Sequence, residues 1–227
     1  MKILVINPNT TVSMTTKIAA TAKAVARPDT EIIAANSQSG PTSIQGFLDV
    51  ATCVPGLLEE VAMHPDVDAI VIACFDDTGL DAVRSLVSVP VLGIGEAAYH
   101  AASMIATKFS VITTLSRSVP GLENNLMRYG LAQKCMRVRA TDIPVLKLEE
   151  GDLTTLLKIQ SEIREAITQD HAEAIVLGCA GMADLMAQLS EEFGLPVIDG
   201  VAAGVTFAEA LVNNRLSTSK IGAYSSE

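Results

Sequence analysis

The chain has 227 residues, 49% of them hydrophobic and 19% charged, the reverse of a disordered composition. Lys and Arg total 16 against 26 Asp and Glu, a formal net charge of −10, which excludes nucleic acid and other polyanions as the main partner. At this length one large domain or two small ones can bury a core.

The chain opens Met1-Lys2-Ile3-Leu4-Val5-Ile6 and meets Asn7-Pro8-Asn9. That apolar run is shorter than the roughly 7–15 residues of a signal h-region. No stretch reaches the roughly 18 uncharged apolar residues of a membrane span. Val89 to Ala106 comes nearest and carries Glu96 and His100. The expectation is a cytoplasmic protein with no membrane partner. Thiols there are reduced, so Cys53, Cys74, Cys135 and Cys179 are expected unbridged. They form no Cys-x-x-Cys and no Cys/His pair at ligand spacing, so no metal is expected.

Strands are predicted at 2–6, 30–35, 69–74, 89–93, 109–114, 136–140, 174–179 and 195–199. They are Val- and Ile-rich without alternation, as parallel strands covered on both faces are. Helices are predicted at 13–26, 53–63, 79–87, 96–107, 118–129, 153–169, 182–192 and 202–213. Thr11 or Ser13, Ser118 and Asp152 can cap helix starts. The alternation predicts a parallel α/β architecture.

The chain also repeats. Ala69-Ile70-Val71-Ile72-Ala73-Cys74 matches Ala174-Ile175-Val176-Leu177-Gly178-Cys179 at an offset of 105. Val89-Pro90-Val91-Leu92-Gly93 matches Leu195-Pro196-Val197-Ile198-Asp199, and Lys2-Ile3-Leu4-Val5 matches Lys108-Phe109-Ser110-Val111, both at 106. Three blocks in one order predict two similar α/β units of four strands each. A cysteine ends the third strand of each unit, at the edge where open parallel sheets bind ligands. Units related by a pseudo-two-fold axis would bring Cys74 and Cys179 to opposite sides of one cleft. Two thiols so placed suit removal of a proton from one face of a carbon and its return on the other. Cys53 and Cys135 are expected to be packing residues.

The first strand ends in Asn7-Pro8-Asn9-Thr10-Thr11 and its counterpart in Thr113-Thr114-Leu115-Ser116. Both supply uncharged donors and acceptors, for a ligand or for turns. Ser37-Gln38-Ser39-Gly40-Pro41 is a candidate lid at the same edge. Gly93-Ile94-Gly95-Glu96-Ala97-Ala98 fits a dinucleotide-binding pattern but lacks the acid about 20 positions on. His64, His100 and His171 have no metal-ligand spacing.

These residues resemble the Asp/Glu/hydantoin racemase family over nearly the whole chain. The likeness rests on Ile6-Asn7-Pro8-Asn9-Thr10, Ile72-Ala73-Cys74-Phe75-Asp76-Asp77-Thr78-Gly79-Leu80, Gly93 to Ala98, Val111-Ile112-Thr113-Thr114-Leu115 and Leu177-Gly178-Cys179-Ala180-Gly181-Met182. The resemblance implies two pseudo-symmetric parallel-sheet α/β domains with the site between them, 1–97 plus 205–227 and 98–204. It implies cofactor-independent proton transfer by Cys74 and Cys179. Around them Asn7, Asn9, Thr10, Phe75, Asp76, Thr113, Thr114, Ala180 and Gly181 would hold a small molecule. Aspartate and glutamate racemases carry Cys-Asn-Thr and Cys-Thr after the two strands. Cys74-Phe75-Asp76-Asp77 and Cys179-Ala180-Gly181 are more similar to the hydantoin and allantoin racemase branch. The implied substrate is a hydantoin or related ureide. An amino-acid racemase and a non-catalytic binding module remain the alternatives. The family's habit of oligomerising extends to this chain as an expectation, with no interface legible.

Overall fold

The eight strands of this computed structural model, which describes residues 1–225, divide into two four-stranded sheets. The first contains β1 (Lys2–Asn7), β2 (Glu31–Asn36), β3 (Ala69–Ile72) and β4 (Val91–Gly93), ordered β2-β1-β3-β4. The second contains β5 (Phe109–Thr113), β6 (Cys135–Ala140), β7 (Ala174–Leu177) and β8 (Val197–Asp199), ordered β6-β5-β7-β8. Every pairing is parallel. Every residue of β3 and β7 is buried, which their apolar runs under helices on both faces require.

The repeat in sequence is a repeat in register. Ile3 faces Ala69 in one sheet, and Phe109 faces Ala174 in the other. The amide of Ala73 donates to the Ile6 carbonyl at 2.8 Å, and that of Gly178 to the Ile112 carbonyl at 2.8 Å.

The helices are α1 (Val12–Val25), α2 (Phe47–Ala62), α3 (Leu80–Leu86), α4 (Ile94–Ile105), α5 (Val119–Arg128), α6 (Leu153–Thr168), α7 (Met186–Phe193) and α8 (Gly200–Asn213). Two of them are exchanged between the sheets. Helix α4 follows β4 but packs on β7 and β8, whereas α8 follows β8 but packs on β3 and β4. Tyr99 of α4 stacks on Phe109 of β5, ring centroids 6.2 Å apart. Where α8 crosses β3, a Cβ on Gly204 would stand 2.9 Å from Val71 Cγ1. The exchange makes one core cluster continuous across both halves, from Ile3 and Val71 to Phe109 and Val176. Truncating a fully buried aromatic such as Phe109 in such a core costs roughly 3–5 kcal/mol. After α8 the chain stays on the first half. Thr218 N donates to the Ser88 carbonyl at 2.9 Å and Tyr224 Oη to Asp81 at 2.9 Å.

Most predicted bounds lie within two residues of the observed ones. Strands β3 and β7 stop at Ile72 and Leu177, so Cys74 and Cys179 lie just beyond the strands and not at their ends. Helix α2 begins at Phe47, not 53, and carries Pro55 inside. Its exposed Phe47 and Leu48 and its internal proline broke the helical pattern. Residues 180–185 form a 3-10 turn, so α7 starts at Met186. Asp152 caps α6 through Thr155 N at 2.6 Å, but Thr11 and Ser118 make no side-chain cap. Thr11 Oγ1 donates instead to the Thr42 carbonyl at 2.6 Å. Among the described residues, no helix is long and apolar enough to cross a membrane.

Candidate active site

A cleft with an empty volume of about 430 Å³ lies at the carboxyl ends of both sheets. Cys74 and Cys179 both border it. Each follows its strand by two residues, at equivalent points of the repeat.

Beyond Cys74 the chain turns sharply. Asp77 N donates to the Cys74 carbonyl at 3.0 Å, and Asp77 itself has φ 52. Its left-handed conformation is one that aspartate tolerates better than most residues. The turn sets Thr78 Oγ1 3.5 Å from the Cys74 sulfur. Burial pushes the Cys74 thiol up, and the Asp76 carboxylate pushes it further. The Thr78 hydroxyl and the Asp76 backbone amide act against this by hydrogen bonding to the sulfur. Burial also raises Asp76 itself, to about 6.

Beyond Cys179 the chain enters a 3-10 turn, closed by Met182 N donating to the Cys179 carbonyl at 3.0 Å. Gly178 lets this segment pass close to β5, because a Cβ there would meet the Ile112 carbonyl at 3.0 Å. Gly181 is the repeat counterpart of Asp76, and a Cβ on it would stand 3.6 Å from the Cys179 sulfur. One thiol therefore has an adjacent carboxylate and the other has a glycine.

Of the residues read from the sequence, Asn9, Phe75, Asp76, Thr113, Thr114 and Ala180 line the cleft with the two cysteines. Phe75 turns its ring into the core, edge-on to Tyr99 at 5.2 Å. Asn7, Thr10 and Gly181 stand outside the lining. Asn7 is fully buried; its amide donates to Asn9 Oδ1 at 2.9 Å and Thr15 Oγ1 at 3.1 Å, and its Oδ1 accepts from Asn9 N at 3.2 Å. Thr10 N donates to the Pro41 carbonyl at 3.1 Å, tying the first loop to the candidate lid.

The structure adds Met14, Ile44, Ala73, Ser118, Val145 and Gly178 to the lining. Ile44 and Val145 are buried apolar residues in the connections that follow two of the edge strands, β2 and β6. Their loops meet where Gln45 Oε1 accepts from Val145 N at 3.4 Å. Ile44 stands in a loop and Val145 opens a short 3-10 segment (Val145–Glu150), and neither setting has the periodicity of a helix or strand. Cys53 and Cys135 are outside the cleft lining, and burial raises their thiols to about 11 and 12. His100 is held by its own helix, with Nδ1 2.8 Å from the Glu96 carbonyl.

Two like parallel sheets sharing one cleft make this the two-domain α/β fold of the racemases, and the protein is an isomerase of that class. The model of the Asp/Glu/Hydantoin racemase family matches residues 3–208, and the chain belongs to that family. It is 47% identical over 226 residues to a hydantoin racemase of Rhizobium meliloti, covering 99% of this chain and 94% of that one. A hydantoin racemase of Pseudomonas sp. (strain NS671) is 44% identical over 226 residues, covering 99% and 91%. The structure of an allantoin racemase from Klebsiella pneumoniae superposes with a TM-score of 0.97 at 45% identity, over 100% of this chain and 94% of that one. Such a racemase acts on a small molecule.

Proposed function

We propose that the protein racemises a 5-substituted hydantoin or allantoin by proton transfer between Cys74 and Cys179, with no cofactor. The observation that supports this reading is the pair of thiols at equivalent points of the repeat, bordering one cleft. One cysteine, as thiolate, takes the proton from the stereogenic carbon. The C–H electron pair passes into the adjacent carbonyl, giving an enolate. The other cysteine, as thiol, returns a proton to the opposite face, and the electron pair re-forms a C–H bond. Nothing is oxidised or reduced, and the two sulfurs end with their roles exchanged. Amide and hydroxyl donors around the cleft, Thr113 and Thr114 among them, stabilise the enolate oxygen. Asn9, Phe75, Asp76 and Ala180 hold the ring from the walls, with Asn7, Thr10 and Gly181 supporting those segments from behind.

Asp76 favours a neutral ureide, whose N–H groups it can accept from, over a dicarboxylate that it repels. The reciprocal packing of α4 and α8 supports dividing the chain into 1–97 plus 205–227 and 98–204. The low charge of the walls and the unbridged thiols suit a cytoplasmic enzyme working on a free small molecule. The test is optical rotation against time with pure enantiomers of several hydantoins, allantoin, aspartate and glutamate. Decay faster than the uncatalysed rate is expected for a hydantoin or allantoin. Decay confined to the amino acids, or ureide binding without decay, overturns the reading.

A further inference from the structure

Cys74 and Cys179 belong to different halves of the chain, so their spacing across the cleft depends on contacts between the halves. One helix of the second half reaches the Cys74 segment. Asn125, Arg128 and Tyr129 stand at i, i+3 and i+4 on α5 and its cap, the spacing that puts side chains on one helix face. Asn125 Nδ2 donates to the Asp76 carbonyl at 2.9 Å, and Tyr129 Oη to the Asp77 carboxyl at 2.8 Å. Arg128 pairs with the Asp81 carboxylate. All three contacts land between Asp76 and Asp81, on the turn that leads from Cys74 into α3. Asparagine is unfavourable inside a helix because its amide competes for nearby backbone groups. Here the amide of a mid-helix asparagine leaves its own helix and crosses to the other half.

The backbone of Asp76 is the sensitive point. Its N–H hydrogen bonds to the Cys74 sulfur, and its carbonyl is the group that Asn125 holds. The chain then passes through the left-handed Asp77, a conformation that persists where its surroundings fix it. The arrangement is reciprocal. Helix α1, the repeat counterpart of α5, packs on the 180–185 turn after Cys179, with Met14, Ile18 and Met182 in one core cluster. Each cysteine segment thus borders the first helix of the other half.

We propose that Asn125 is a positioning residue for Cys74: from the second half it holds the Asp76 backbone, and so holds the sulfur at its working distance from a carbon shared with Cys179. The inference rests on the two-thiol reading above. Reaction geometry is steep, since a misplacement of about 1 Å can cost on the order of 10²-fold in rate. Asn125 acts on the sulfur through Asp76.

The experiment places Asn125→Leu and Asn125→Ala in the Cys179→Ser background, where Cys74 is the remaining base, and in the Cys74→Ser background, where Cys179 is. Solvent deuterium exchange into the pure enantiomers of a hydantoin is measured in each. Exchange by Cys74 is expected to fall about tenfold or more, and exchange by Cys179 to change less than twofold. The ratio of the two falls is the readout, because lost folded protein would lower both alike. A second arm needs no substrate. Iodoacetamide labelling against pH, read by mass spectrometry of each cysteine peptide, is expected to show the Cys74 midpoint moving up and the Cys179 midpoint staying. Equal falls in both backgrounds, no fall in the Cys74 arm, or an unmoved Cys74 midpoint overturns the proposal. Should neither background exchange with Asn125 in place, the two-thiol reading fails, and the labelling arm alone decides the positioning role.

Discussion

The carboxylate of Asp77 accepts a hydrogen bond from the backbone amide of Gly95 at 2.9 Å, and a second from Glu96 N at 2.7 Å. Tyr129 Oη donates a third at 2.8 Å. The first free amides of α4 are thus occupied by a carboxyl group of the same chain. The glycines around them make room for it. A Cβ on Gly93 would stand 1.9 Å from Asp77 Oδ1, and one on Gly95 2.4 Å from the Phe75 carbonyl. The Gly-x-Gly-x-x-Ala run that resembles a phosphate loop in sequence holds Asp77 in that place.

Gly95→Ala is therefore expected to destabilise the fold by several kcal/mol, on the order of 3–4. Asp77→Ala loses the cap, leaves buried amides unpaired and forces alanine into a left-handed backbone, about 2–3 kcal/mol together. Asp77→Asn tolerates that backbone and keeps one acceptor, so about 1 kcal/mol is expected. Urea titrations of the three variants check the order. Equal stability of Asp77→Ala and Asp77→Asn would remove the capping argument.

Cys74→Ser and Cys179→Ser are each expected to lower racemisation by three orders of magnitude or more, because a serine hydroxyl is a far weaker acid than a thiol. Each variant retains one base. Each should then exchange solvent deuterium into one enantiomer only, and the two variants should choose opposite enantiomers. Mass spectrometry of each pure enantiomer in D₂O reads this directly. Exchange of the same enantiomer by both variants contradicts a base on each face.

Asp76 and Gly181 occupy equivalent places in the repeat, and the Asp76 carboxylate acts on Cys74. Burial raises the Cys74 thiol most, and Asp76→Asn removes the charge that raises it next. The pH at which Cys74 reacts with iodoacetamide is expected to fall, with Cys179→Ser as the background. Thr78→Val removes a donor to the sulfur and should move the profile the other way. An unchanged profile in Asp76→Asn would show that the Asp76 charge does not set this thiol.

The alternation of Val/Ile runs with helical stretches exposes the two sheets in the sequence, because both faces of each strand are covered. The offset between Cys74 and Cys179 exposes the pseudo-symmetry, because equivalent strand ends need equivalent lengths of chain. The exchange of α4 and α8 between sheets is not legible, since either sheet would accept an apolar helix face. Nor is the direction of the two neighbouring acids. Asp76 and Asp77 are adjacent and chemically identical, yet one borders the cleft and the other caps α4. That choice is made by the φ of Asp77 and by glycines in another segment. Ile44 and Val145 are not legible for a related reason: their burial comes from two connections meeting.

Stability should fall as pH rises from about 4.5 to 8. Burial raises Asp76 to about 6 and Asp77 to about 7 from an ordinary 3.8, and it also raises Asp199. Between those values the folded chain holds protons that the unfolded chain has released. The folded state then binds more protons, so the unfolding free energy has a negative slope against pH. The stabilising contribution is complete below about pH 4 and is lost through pH 6 to 7. Carboxylates held low by partners, such as Asp170 beside Arg139, act in the opposite direction but at lower pH. The urea midpoint is expected to be higher at pH 5 than at pH 8. Asp76→Asn cannot titrate at this position, so it should shrink the difference by about 1–3 kcal/mol. A midpoint that rises from pH 5 to pH 8 would mean that these buried carboxyls are ionised in the fold at the lower pH, with the donors around Asp77 outweighing its burial.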